Sequence, residues 1–116
     1  MTPVLDLRTY RLVPGGRTTF DRILREGALP MLERFQIEVV GYGPSLVDDE
    51  HYYLARAFRS VSERERQLGA FYGSNEWRDS FDDVVSSILV AYHTVVVPLP
   101  PSVREALGAR TRAHAT

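Results

Sequence analysis

The order in which the hydrophobic period changes along the chain limits its fold more than any other feature. Val4 to Val13 alternate with the two-residue period of a strand and are rich in β-formers, and Pro14-Gly15-Gly16 ends them with turn chemistry. Thr18 with Asp21 predicts a variant capping box. After it, Phe20, Ile23, Leu24, Gly27, Ala28, Met31 and Leu32 recur at helical spacing, and Pro30 is expected to kink or shorten this helix near its end. Gln36 to Tyr42 reads as a second strand, with Phe35, Ile37 and Val39 on one face. His51 to Arg59 reads as a third, joined to the second through the acidic turn Asp48-Asp49-Glu50 as an antiparallel hairpin. Ser60 with Glu63 predicts another capping box, opening a charged helix over Val61 to Phe71. Ser74 or Asn75 caps a further helix, where Trp77, Phe81, Val84, Val85, Ile88 and Leu89 keep helical spacing. The last strand is Tyr92 to Val97, stopped by Pro98-Leu99-Pro100-Pro101. Ser102 with Glu105 predicts one more helical turn, and the sequence beyond Gly108 reads as a frayed end that includes His114. Strand, helix, strand, strand, helix pair, strand is the βαββαβ plan. It predicts an α+β, ferredoxin-like domain with one four-stranded antiparallel sheet and its helices on one face. The domain is expected over residues 1–99, with 100–116 as a C-terminal tail.

That plan leaves one sheet face without a helical cover, and the strands do not offer a polar face for water. The third strand carries Leu54 and Phe58 on one side, and Tyr53, Ala55 and Ala57 on the other. The fourth carries Tyr92 and Val96 opposite His93, Val95 and Val97. Strands apolar on both faces are those buried on both faces, and an open face of this character is an association liability. The simplest remedy is a second copy, two sheets packed face to face across a twofold axis. A homodimer, with higher assembly left open, is therefore the expected partner state.

Composition narrows the chemistry. The 116 residues include no cysteine, which excludes disulfides, thiolate metal sites and cysteine nucleophiles. Lysine is absent too, so all 14 basic residues are arginine and no side chain can form a Schiff base. A net charge of −1 gives no reason to expect nucleic acid or an anionic membrane, and no apolar run is long enough to span a bilayer. Met1 to Asp6 lack the basic start and apolar stretch of a signal peptide, so a cytoplasmic location is expected. No phosphate-binding glycine loop is present, Ser86 and Ser87 lack a nucleophile elbow, and the histidines have no metal-ligand spacing, so neither metal nor cofactor is expected.

The opening strand holds the candidate chemistry. Asp6, Arg8 and Tyr10 at i, i+2 and i+4 project to one side, where they could face the space between two sheets. A carboxylate, a guanidinium and a phenol there would orient an acidic or phenolic compound, with Arg8 as the anion donor. The plainer reading is a buried Asp–Arg pair that fixes the dimer interface. Arg56 on the third strand joins the candidate ligand contacts, as does mid-strand His93, which could serve as a general base. His51, beside the acidic turn, reads as a surface residue. Trp77 and Phe81 read as core under the sheet, and the charges between Arg59 and Arg66 as intrahelical pairs.

Three stretches resemble one family. Leu7-Arg8-Thr9-Tyr10 followed by Val13-Pro14-Gly15 resembles the opening of NIPSNAP-family domains. Tyr53 to Phe58 with Ser62-Glu63-Arg64, and Asn75-Glu76-Trp77-Arg78-Asp79-Ser80-Phe81, are similar to later segments of that family. Ser74-Asn75 stands where Asp-Pro is common there, and Ala55-Arg56 where a tryptophan is frequent. The resemblance covers residues 5–98 and implies a dimeric α/β barrel of two facing ferredoxin-like sheets. Relatives by fold include cofactor-independent monooxygenases, haem-binding dye peroxidases and stress-responsive barrels, and fold alone does not choose among them. The leading expectation is a homodimer binding a small, partly apolar metabolite between sheet and helices. Any catalysis would need no cofactor and would use Arg8, Tyr10 and His93. The alternatives are a non-catalytic scaffold dimer and a monooxygenase- or cyclase-like enzyme.

Overall fold

A computed structural model describes residues 2–106 of the chain. Strand β1 (Val4–Leu12) is followed by helix α1 (Arg17–Ile23), a π-helical turn (Leu24–Ala28) and α2 (Leu29–Arg34). The hairpin β2 (Glu38–Pro44) and β3 (His51–Phe58) comes next. Then follow α3 (Val61–Tyr72), the single turn α4 (Asn75–Trp77), a second π turn (Arg78–Asp82), α5 (Asp83–Ile88) and β4 (Leu89–Pro98). The strands form one antiparallel sheet in the order β2-β3-β1-β4, which is the ferredoxin-like α+β arrangement.

Alternation decides which side chains meet the helices. Val4, Asp6, Arg8, Tyr10 and Leu12 of β1 share a face with their β3 partners Phe58, Arg56, Leu54 and Tyr52. Against that face pack Phe20, Leu24, Ala28, Met31 and Leu32 from the first helical segment, with Leu68 and Phe71 from α3, as one buried core. Phe20 stands between the rings of Tyr10 and Tyr52, at centroid distances of 4.8 and 5.1 Å.

Several boundaries move from the sequence reading for identifiable reasons. Thr18 caps nothing: α1 starts behind Gly16 without a side-chain cap, and Asp21 instead accepts the Tyr52 hydroxyl. Pro30 lies just after the π turn inside one continuous helical run and does not end it, since the helix runs on to Arg34. The irregularity lies upstream, where Leu29 N–H bonds back to the Leu24 carbonyl, five residues away, within the first π turn. The second strand starts at Glu38 because Gln36, at φ 60°, turns the chain after α2, and Val40 is bulged where the β2–β3 register shifts. β4 begins at Leu89, so Leu89 belongs to the sheet rather than to the helix before it.

Beyond β4, Leu99 is buried on the helix-free face against Val40, Ala55, Ala57 and Leu5. Residues 101–106 are helical, and Arg104 pairs with Glu38, so this turn lies at the β2 edge of that face, which is otherwise free of helices. This turn starts at Pro101, so Ser102 lies inside it and does not cap it. The stretch beyond Gly108 that includes His114, read from the sequence as a frayed end, lies outside the described residues. No helix among the described residues is long and apolar enough to cross a membrane.

Candidate functional site

Asp6 sits opposite Arg56 in the β1–β3 ladder, and both side chains are excluded from solvent. Asp6 Oδ1 accepts from Arg56 Nη2 at 3.1 Å, and its Oδ2 accepts from Arg64 Nε at 2.6 Å. Arg64 arrives from the first turns of α3, which is held in place by Ser60: its hydroxyl accepts the Glu63 N–H at 3.1 Å. Arg66 makes the expected intrahelical pair with Glu63, whereas Arg64 leaves the helix surface for the sheet.

The last residue of α3 ties this pair to Arg8. The Tyr72 oxygen accepts from Arg56 Nη1 at 3.0 Å and from Arg8 Nη1 at 3.3 Å. Arg8 Nε donates to Thr94 Oγ1 at 3.0 Å on the neighbouring strand. The Arg8 guanidinium also lies 5.6 Å from the Tyr72 ring centroid and 5.0 Å from that of Tyr92, within cation–π range of both. No carboxylate among the described residues pairs with Arg8.

Next to Arg8 and Tyr72 a cavity of about 80 Å³ opens between sheet and helices. Apart from Arg8 and the phenols of Tyr10 and Tyr72, its wall is apolar, with Phe20, Leu24, Ala28, Leu54, Phe71 and Trp77 among its members. Two local devices shape it. Ser74 accepts the Trp77 N–H at 3.1 Å, starting the turn that sets the indole edge-on to Tyr72 at 4.9 Å. The two π turns touch where Gly27 meets Phe81, with room for no Cβ: an added one would lie 2.5 Å from Phe81 Cε1. Such turns are frequent at functional sites.

Burial dominates the titration of this face. It pushes the Tyr10 phenol well above its ordinary value, the more so beside Tyr72, while the Arg56 and Arg8 charges pull the other way. Burial opposes the charge of Arg56, but Tyr72, Asp6 and Tyr10 more than offset it, so Arg56 holds its proton more firmly than a free arginine.

A second, larger depression of about 840 Å³ runs over the helix-free face and around β2, past Leu5, Leu7, Tyr53 and Ala55 to Arg17 and Asp21. Its charges are already engaged: Arg17 donates to the Asp48 carbonyl, and Asp21 pairs with Arg25. It is an open groove of the uncovered sheet, on the side away from Asp6, Arg8 and Arg56.

The NIPSNAP family model matches residues 5–102, most of the chain. The chain belongs to the NIPSNAP family. None of the curated proteins matches it. Among solved structures, an uncharacterized NIPSNAP-like domain protein of Burkholderia xenovorans is similar at TM-score 0.78 and 17% identity, covering 87% of each chain. A NIPSNAP family protein of Agrobacterium tumefaciens gives TM-score 0.77 and 14% identity, with 86% of this chain and 88% of that one covered. A Nitrosomonas europaea protein assigned provisionally to the antibiotic biosynthesis monooxygenases gives 0.66 and 12%, over 86% and 93%. At these identities the likeness is one of fold.

In this NIPSNAP domain, Asp6, Arg8, Tyr10 and Arg56 come together, but on the helix-covered face rather than in a space between sheets. His93 does not join them. It pairs with Thr9, on the opposite face and exposed, so Arg8, Tyr10 and His93 do not form one constellation. His51 is an exposed partner of Asp48. Trp77 and Phe81 pack on the core edge, and Trp77 also lines the cavity. Sequence reasoning missed Arg64, Tyr72 and Thr94. Thr94 was findable from register, since it faces Arg8 across β1–β4. Arg64 and Tyr72 were not, because their roles depend on how α3 crosses the sheet.

Proposed function

We propose that this NIPSNAP domain binds a small, partly apolar metabolite in the cavity between its sheet and helices. The observation that carries the reading is Arg8, a half-buried guanidinium with no carboxylate partner at the edge of an apolar cavity. Such convergence of a few polar groups on an apolar hollow is how small-molecule sites are built. All the partners of Arg8 are neutral, so its charge stays available to an anionic group of a ligand. A thermal-shift screen of small amphiphilic compounds tests this. A ligand at a hundredfold excess over its Kd adds about 2.7 kcal/mol. A saturable rise in Tm that disappears in Ala28→Leu, which fills the cavity, supports the reading. No saturable ligand across the screen overturns it.

The domain works as a homodimer in the same reading, sheet against sheet through the helix-free face, in the cytoplasm. Leu7 and Val95 remain 38% and 55% exposed there, beside Tyr53 and Val97, with no charged residue among them. An apolar sheet face of this kind is an association surface in most soluble proteins. A burial of about 800 Å² per partner would be ordinary for it. Light scattering that gives twice the chain mass supports the dimer, and a single-chain mass at micromolar concentration overturns it.

A further inference from the structure

The polar end of the cavity carries more positive charge than the protein balances. Arg8 lines that end, while Arg56 and Arg64, outside the cavity wall, share Asp6, the one carboxylate among the described residues that pairs with any of the three. Three guanidiniums therefore stand against one negative charge. Their neutral partners are fully engaged: the Tyr72 oxygen already accepts from two guanidiniums, and Thr94 accepts from Arg8. Arg8 alone of the three has no carboxylate, so the fold itself supplies no negative charge at the cavity. The arrangement becomes favourable when an anion enters, because charge-assisted bonds to guanidinium are among the strongest a protein makes.

The neighbouring space limits what that anion is. The cavity is about 80 Å³, room for roughly three water-sized volumes at about 30 Å³ each. Its walls of Leu24, Ala28, Leu54 and Trp77 favour carbon over further polar groups. A planar, singly charged head matches the guanidinium fork, whereas a doubly charged phosphate would place a second charge against apolar walls. A neutral phenol would leave the charge unbalanced.

Resting on the reading that this cavity takes a small molecule, we infer that its ligand is a monocarboxylate with a short apolar tail. The carboxylate lies on Arg8 beside Tyr72, and the tail enters between Leu54 and Ala28.

The test compares matched acids and amides on the full chain: butyrate against butyramide, and propionate against propionamide. Calorimetry and thermal shift are read at constant ionic strength. The acids bind at least tenfold tighter than the amides, and the advantage falls below twofold in Arg8→Gln. Should Arg8→Gln fail to fold, Arg8→Lys keeps the charge, loses the planar fork, and reduces the advantage severalfold. Equal binding of acid and amide overturns the anion assignment and leaves the cavity reading standing. No binding by either overturns both. Formate binding as tightly as butyrate overturns the placement of the tail.

Discussion

Asp6 on β1 and Arg56 on β3 occupy directly opposed positions of the antiparallel ladder, and their side chains meet at 3.1 Å with neither reached by solvent. Removing one charge of such a pair leaves the other buried and unmatched, which typically costs about 3–5 kcal/mol. Asp6→Asn is therefore expected to lower stability by about that amount in urea unfolding. The double variant Asp6→Leu/Arg56→Met is expected to recover most of the loss, because Arg64 is partly exposed and can turn to water. A double variant as unstable as Asp6→Asn would show that the pair is not an isolated electrostatic unit.

Gly27 and Phe81 hold the two π turns together at a distance that admits no side chain. Alanine favours a helix over glycine by about 1 kcal/mol, whereas overpacking costs about 1–3 kcal/mol. Gly27→Ala is expected to be net destabilising in the natural background and stabilising in a Phe81→Leu background. Chemical denaturation of the four combinations reads the change of sign, and the same sign in both backgrounds would refute the contact.

Tyr52 is buried and donates its hydroxyl to Asp21, and burial followed by that bond raises its pKa far above the free value. Tyr10 is raised chiefly by burial as well. A raised folded value favours the protonated phenol in the native state. Its contribution is complete below the free phenol's value of about 10 and is lost as pH climbs toward the folded value. Thermal stability is expected to fall as pH rises past about 10. Tyr52→Phe starts lower at neutral pH, by about 1 kcal/mol for the lost hydrogen bond, but falls less steeply in alkali. Parallel curves for the two proteins would sink this account.

Val95 lies on the helix-free face of an edge strand, in register with Leu7 and away from the core. On the proposed dimer and carboxylate site, Val95→Arg is expected to halve the particle mass in light scattering while leaving carboxylate affinity per chain within about twofold, since the cavity is on the other side of the sheet. An unchanged mass argues for a different assembly surface.

Much of the fold was legible along the chain. The alternation in Val4 to Leu12 and His51 to Phe58 fixed which residues share a face, because a strand's side chains switch sides at every step. The caps at Ser60 and Ser74 followed from local hydrogen-bonding chemistry. Thr18 misled for the opposite reason: its expected partner Asp21 is claimed by Tyr52, a residue 31 positions away in the sequence. The π turns left no trace a periodicity count would notice, since each shifts the helical phase by a single residue.

The sequence by itself determined the strand and helix order, the facing of each strand and the gathering of Asp6, Arg8 and Tyr10 on one side. These depend on near neighbours and on a period of two. Only the tertiary structure decided that this side meets the helices, that Arg64 and Tyr72 reach down from α3 to Asp6 and Arg8, and that His93 is left on the far face. Long side chains choose partners by where packed elements cross in space, and burial then sets what each charge must find.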